Sequence, residues 1–241
     1  MRLTDFDVLT FDLIGTLIDF EQGLLDFMRP RLLRASHEIT DTDILETYAN
    51  VQGEVRARAP GLLFSARLPK IWEGVAARYG VAVEPADGPA LVRSARHWPA
   101  FPDSGAALAE LKRHFRFLVL VTNGDRVSAR VMANTLGSPF SEIITEEDMG
   151  VAKPNPRAFE YFIAHLERLG VKRERILHVA QSQYHDIGAA HDAGLATAWI
   201  YRRHGQPGYG GTQAPPRFTP PDFLAVCLED LVRQYQLDLA A

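Results

Sequence analysis

The stretch DFDVLTFDLIGTLID, running from Asp5 to Asp19, decides how the rest of the chain is read. Val8, Leu9, Thr10 and Phe11 form a short apolar run with no polar alternation, which predicts a strand covered on both faces, as in a parallel sheet. Asp12 then falls at the carboxyl end of that strand, where open α/β sheets collect their ligands. Gly15 permits a sharp turn, and Thr16 sets a hydroxyl one helical turn from the acid. An aspartate at the head of a glycine turn is also an ordinary turn cap, so this stretch alone leaves both roles open.

Downstream of Leu17 the apolar period changes from strand to helix. Leu24, Leu25, Phe27, Met28, Leu32 and Leu33 mark one amphipathic segment, with a bend expected at Pro30. Thr40 or Asp41 caps a second, through Ile44, Leu45, Tyr48 and Val51. Pro69 opens a third, through Ile71, Trp72, Val75 and Tyr79, closed by Gly80. A fourth runs from Leu91 to Trp98. No strand of similar quality interrupts them. The expected organisation is therefore an α/β core built from residues 1–18 and 100–241, with residues 19–99 as a helical cap inserted after the first strand.

From Phe101 onward helix and strand alternate. Strands are expected at 117–121, 142–145, 176–180 and 196–201, with helices at 106–114, 127–136, 157–169 and around Ala189 to Ala193. Five strands separated by helices predict a doubly wound, Rossmann-like parallel sheet with right-handed crossovers. Residues 202–221, rich in Gly and Pro, read as loop. The run Arg202-Arg203-His204 at its start reads as solvated surface, with an anion site as the other possibility.

With 241 residues the chain is long enough for a large core, and its net charge of −4 without a basic stripe speaks against nucleic acid as a partner. No apolar run reaches membrane-spanning length and no signal segment is recognisable, so a soluble cytoplasmic protein is expected. The lone Cys227 cannot form an internal disulfide and reads as a small buried hydrophobe among Phe223, Leu224, Val226, Leu228 and Leu231.

Four polar clusters close the strands and loops: Asp12 with Thr16, Thr122 with Asn123, Lys153 before Pro154, and Gln181 to Asp186. Each taken singly is an ordinary turn, cap or surface group. In this order, with a helical insertion behind the first, the chain resembles the haloacid dehalogenase superfamily over its whole length. Within it, the phrases HWPAFPD, KPNP, LHVAQSQYHD and WIYRRHGQPGYGGT are similar to the (S)-2-haloacid dehalogenases and especially to the related L-azetidine-2-carboxylate hydrolases.

The resemblance implies that Asp12 is a nucleophile forming a covalent ester, that Thr16 and Thr122 donate hydrogen bonds, that Lys153 keeps Asp12 ionised, and that Asp186 stands beside Lys153. It places Ile14, Asn50, Thr122, Asn123, Gln181 and Gln183 around the substrate. Phosphatases of the superfamily carry acids where Ile14 and Gln181 stand. An isoleucine cannot protonate a leaving group and an amide is a poor magnesium ligand, so no metal and no cofactor are expected. Dehalogenases carry an aromatic residue at Ile14, an arginine near Asn50, a tyrosine at Phe159 and an asparagine at Gln183. Arg56, Arg58 and Arg67 are alternative cations, each also readable as solvated surface. Trp72 and Trp98 are expected to pack the cap, with the substrate pocket as the other possibility, and His178 and His185 to serve structure, though His185 beside Asp186 could also tune the site. The implied partner is a small carboxylate substrate, with self-association as a homodimer. Carbon–halide cleavage is the first expectation, followed by C–N ring opening, a weak phosphatase, and a non-catalytic binding protein of the same fold.

Overall fold

The computed structural model describes residues 1–34 and 38–241. Strand β1 (Val8–Phe11) is followed by the helices α1 (Phe20–Leu32), α2 (Asp41–Arg58), α3 (Phe64–Arg78) and α4 (Asp87–Ala95). The alternating part comprises α5 (Ser104–Leu111), β2 (Phe117–Thr122), α6 (Arg126–Thr135), β3 (Glu142–Thr145), α7 (Glu146–Met149), α8 (Pro156–Arg168), β4 (Ile176–Ala180), α9 (Gly188–Asp192), β5 (Ala196–Ile200), β6 (Phe223–Ala225) and α10 (Leu228–Ala240).

The strands form one parallel sheet in the order β3-β2-β1-β4-β5-β6. Successive residues of a strand face opposite sides. Leu118 and Leu120 accordingly join one apolar layer while Val119 and Val121 join the other, under α8 with Phe159 and Phe162. Both faces are covered, which is why the strands read as unbroken apolar runs. The first of these layers continues into the insertion through Leu24, Met28, Ile44 and Trp72. The strand order reverses at β1, so the crevice beyond the carboxyl ends of β1 and β4 is where this topology places a ligand.

The structure corrects the sequence reading at several points. There are six strands among the described residues: β6 is a three-residue edge strand with Leu224 exposed. Cys227 is only half-buried, at the turn between β6 and α10. Helix α3 starts at Phe64, ahead of Pro69, because Phe64, Leu68, Ile71, Trp72 and Val75 already share one buried face. Pro30 lies in the last turn of α1. The insertion is drawn tightly onto its own entry segment: a side chain on Gly23 would meet the Trp98 ring at 1.9 Å. Trp72 and Trp98 are both buried, Trp72 donating to Asp87.

Candidate active site

At the end of β1 the backbone N–H of Asp12 bonds to Val179 of β4, and Gly15 turns the chain at φ +95°. The Thr16 hydroxyl accepts from the Gln181 backbone N–H at 2.9 Å, so its own proton goes to Asp12 Oδ2, also at 2.9 Å. The other oxygen, Oδ1, accepts from Lys153 Nζ at 3.0 Å. The same ammonium donates to Asp186 Oδ1 at 2.5 Å and to the Val121 carbonyl at 2.6 Å. Its three protons are thereby used up within the buried cluster.

Asn123 fixes the Lys153 backbone on both sides, accepting from its N–H at 2.7 Å and donating to its carbonyl at 2.9 Å. The segment carrying Asp186 is a π turn over Gln183–Ile187, in which Ile187 N–H reaches back to the Ser182 carbonyl. That wider turn brings His185 and Asp186 to the same cavity. Behind Asp186, His178 Nε2–H donates to Oδ1 at 3.1 Å while Nδ1 accepts from the Thr10 hydroxyl at 2.8 Å.

One cation thus serves two buried carboxylates. Burial raises the Asp12 carboxyl above its ordinary value, more than the Lys153 ammonium pulls it down. For Asp186 burial is also the largest influence, but Lys153 and His178 together overcome it and hold the group down at about 2. Burial works against the Lys153 ammonium too, and the two carboxylates more than offset it, leaving Lys153 above its ordinary value.

The cavity above Asp12 has a volume of ≈ 50 Å³. Ile14, Thr122, Asn123, Gln181, Ser182, His185 and Asp186 line it from the sheet side, and Gly211 and Thr212 from the long loop. Phe20 comes from α1, Phe64 from α3, and Tyr48, Gln52 and Arg56 from one face of α2. A larger crevice of ≈ 460 Å³ meets it at Arg56.

Ten site residues were expected from the sequence, and eight reach the cluster or the cavity. Asn50 does not: it is exposed on α2, two residues and about 200° of helical rotation from both Tyr48 and Gln52. Gln183 is buried but turned away, its amide clasping Thr219 N–H and C=O, each at 3.1 Å. Among the three cap arginines the structure discriminates plainly. Arg58 is exposed. Arg67 is buried in a two-pronged pair with Glu146, at 3.0 and 2.9 Å, and also binds the Asn123 carbonyl. Arg56 donates to the Lys153 carbonyl at 3.2 Å, and among the described residues no carboxylate pairs with it. Burial, with help from Arg67, lowers Arg56 to about 10.

Arg202 and Arg203 are not solvated surface. Arg202 pairs with Asp103 at 2.8 Å and Arg203 with Glu21, while Glu21 also accepts Gly211 N–H at 2.8 Å. These pairs hold the loop that supplies Gly211 and Thr212. His185, read mainly as structural, lines the cavity, and Tyr48, read only as part of a helix face, does too. The signal for the latter was the four-residue spacing of Tyr48, Gln52 and Arg56, which puts all three on one side of a helix.

Magnesium, which the superfamily's phosphatases use, does not fit this donor set. Ile14 offers no side-chain oxygen, Gln181 is neutral, Asp186 is engaged by Lys153 and His178, and among the described residues no His, Cys, Asp and Glu group could hold a metal.

Residues 6–194 match the family model of haloacid dehalogenase-like hydrolases, and the chain belongs to that family. It is 30% identical over 115 residues to the phosphoserine phosphatase of Thermus thermophilus, covering 47% of this chain and 45% of that one. It is 26% identical over 121 residues to (S)-2-haloacid dehalogenase 4A of Burkholderia cepacia, covering 49% and 51%. The chain thus spans about half the length of the curated relatives it matches. A solved L-2-haloacid dehalogenase superposes with a TM-score of 0.73 at 23% identity, over 95% of this chain and 99% of that chain, which shows the shared fold. No helix among the described residues is long and apolar enough to cross a membrane.

Proposed function

We propose that this hydrolase acts, without a metal, on a small 2-substituted carboxylic acid of the (S)-2-haloacid type, through an ester on Asp12. The observation that carries this reading is the division of positive charge. Lys153 spends all its protons on Asp12, Asp186 and Val121, whereas Arg56 lines the cavity without a carboxylate. A substrate carboxylate satisfies Arg56 with charge-assisted hydrogen bonds and sets the adjacent α carbon toward Asp12. The cavity directly above Asp12, of ≈ 50 Å³, suits the reacting end of a small acid.

One Asp12 oxygen attacks the α carbon, the carbon–halogen bond breaks, and halide departs with the bonding pair. Water then adds to the Asp12 acyl carbon, and collapse releases the 2-hydroxy acid and regenerates the carboxylate with one oxygen from water. Asp186 Oδ2 is buried without a hydrogen-bond partner, so it is an acceptor available to the attacking water. Opening of a strained C–N ring is the second reading: the same attack breaks the C–N bond, the ring nitrogen, protonated as an ammonium, departs with the bonding pair as a neutral amine, and Asp186 Oδ2 favours this by accepting an N–H of the ammonium and orienting it. A phosphatase reading draws on the Thermus relative and lacks an acid at Ile14. A binding-only role leaves the buried acid–amine cluster under its cavity without a purpose.

The deciding experiment is one turnover with excess enzyme in heavy-oxygen water. The label should enter Asp12 and leave the product largely unlabelled; the reverse distribution would sink the ester. A panel of 2-chloropropionate enantiomers, azetidine-2-carboxylate and a chromogenic phosphate ester, each with and without chelator, assigns the leaving group. Turnover of the phosphate ester that chelation removes and magnesium restores would return the chain to the phosphatases.

A further inference from the structure

We propose that His185 is a second hydrogen-bond donor to the substrate carboxylate, acting beside Arg56; this rests on the Arg56 reading above and adds a residue to it. His185 lines the catalytic cavity, and its Nε2 is closed off from solvent without a hydrogen-bond partner. The other ring nitrogen is accounted for. The Ser182 hydroxyl accepts the His185 backbone N–H at 2.8 Å and stands 3.1 Å from Nδ1, where it can donate its own proton. With Nδ1 as the acceptor of that pair, the ring proton sits on Nε2, a donor with nothing to donate to.

Buried polar groups are otherwise nearly always paired, so an orphan in a cavity marks where a ligand atom sits. The ligand atom here is an acceptor. Arg56, from the insertion, is also a donor lacking a carboxylate, and it is the largest influence on the ring after burial itself. Burial and Arg56 keep the imidazole neutral, holding it down at about 3. A neutral donor adds a hydrogen bond without placing a second cation against the guanidinium. One carboxylate offers two oxygens and meets both needs. The Asp186 carboxylate does not fill this role, because its engaged oxygen belongs to Lys153 and His178 and its free oxygen is itself unpartnered.

The test uses the full chain with 15N-labelled histidine and sodium propionate, which has the carboxylate and no leaving group. In the free protein His185 should show the Nε2–H form, and propionate should move its Nε2 resonance. His185→Phe should weaken propionate binding about tenfold, while His185→Gln, which keeps an N–H donor, should recover most of the loss. A free-protein ring protonated on Nδ1, or propionate that saturates without moving Nε2, overturns the proposal, and both are read on the unmutated chain. Equal propionate affinity in the wild type and a folded His185→Phe variant overturns it as well. If Arg56→Met abolishes binding while His185→Phe does not, His185 fails and the Arg56 reading stands. Failure of propionate to bind the wild type removes both donors from the carboxylate site. The ester on Asp12 is read separately, by heavy-oxygen labelling.

Discussion

The two halves of the site are built on opposite principles. On the sheet side Lys153 is saturated, each Asp12 oxygen has a donor, and Asn123 pins the lysine backbone from both sides. Around the cavity above it, Arg56 of the insertion has no carboxylate, and the His185 edge, from the turn after β4, has no partner at all. A saturated half holds a reactive group in one geometry; an unsatisfied half waits for a ligand to complete it. Arg67 sharpens the contrast, for it lies on the next helix, more deeply buried, and is fully spoken for by Glu146. On the proposed reading, the sheet holds the nucleophile, and the insertion supplies the charge that meets the substrate.

The largest expected effect breaks the saturated half. Asp12→Asn should lower kcat by at least about a thousandfold, because an amide is a far poorer nucleophile of similar shape. Its stability should move the other way. A carboxyl whose folded value lies above its unfolded one costs the fold stability wherever both forms are ionised, so the variant should melt higher than wild type near neutral pH. A melting temperature that falls would show that the Asp12–Lys153 contact outweighs the burial of the charge.

Next come the two arginines. Arg67→Met strands Glu146 in the interior and should cost about 3–5 kcal/mol in a denaturation experiment. Arg56→Met should leave stability nearly unchanged, since it removes a buried cation with no carboxylate partner, and should raise KM for the acid about tenfold to a hundredfold. Equal stability losses would erase the distinction between the halves.

The pH profile tests the shared cation. The attack requires Asp12 ionised, so kcat/KM should fall as pH drops through a value above the ordinary 3.8 of an aspartate, tenfold per unit below it. Asp186 contributes stability that is present above its unfolded value and is lost as pH falls through about 2. An acid limb for activity at or below 3.8 would mean that Lys153 favours Asp12 over Asp186. The smallest expected effect is at Asn50: both Asn50→Ala and Asn50→Arg should change kcat and KM by less than about twofold, as the residue faces solvent.

Much of this was legible because the relevant signals are local. The apolar β-branched runs gave β3 and β4 at their observed bounds, and the motif order located Asp12, Lys153 and Asp186 before their contacts were known. What failed needed a third dimension. Asn50 was chosen by counting along the chain, whereas the rotation of α2 decides which residues meet the cavity, and Tyr48, Gln52 and Arg56 do. Gln183 and Asp186 share one short turn, yet its π geometry sends one to Thr219 and the other to Lys153. Strand β6 is too short to carry a period, and Pro69 hid the start of α3 because a helix-opening residue sits inside a helix. The charges of Arg202 and Arg203 suggested solvent, while their partners, Asp103 and Glu21, lie far away in sequence.

The position of β1 in the middle of the sheet has a kinetic consequence. Val8 pairs with Phe117 on one side and with Ile176 on the other, so the strand leading to Asp12 gains each neighbour only by closing a long loop. The insertion, by contrast, is joined by near-sequence contacts between α1, α2, α3 and α4. Contacts of short sequence separation form quickly, and those that must close a long loop form late. On refolding, helical signal should therefore return before catalysis: the insertion assembles first, and Asp12 is the last part of the site to be seated.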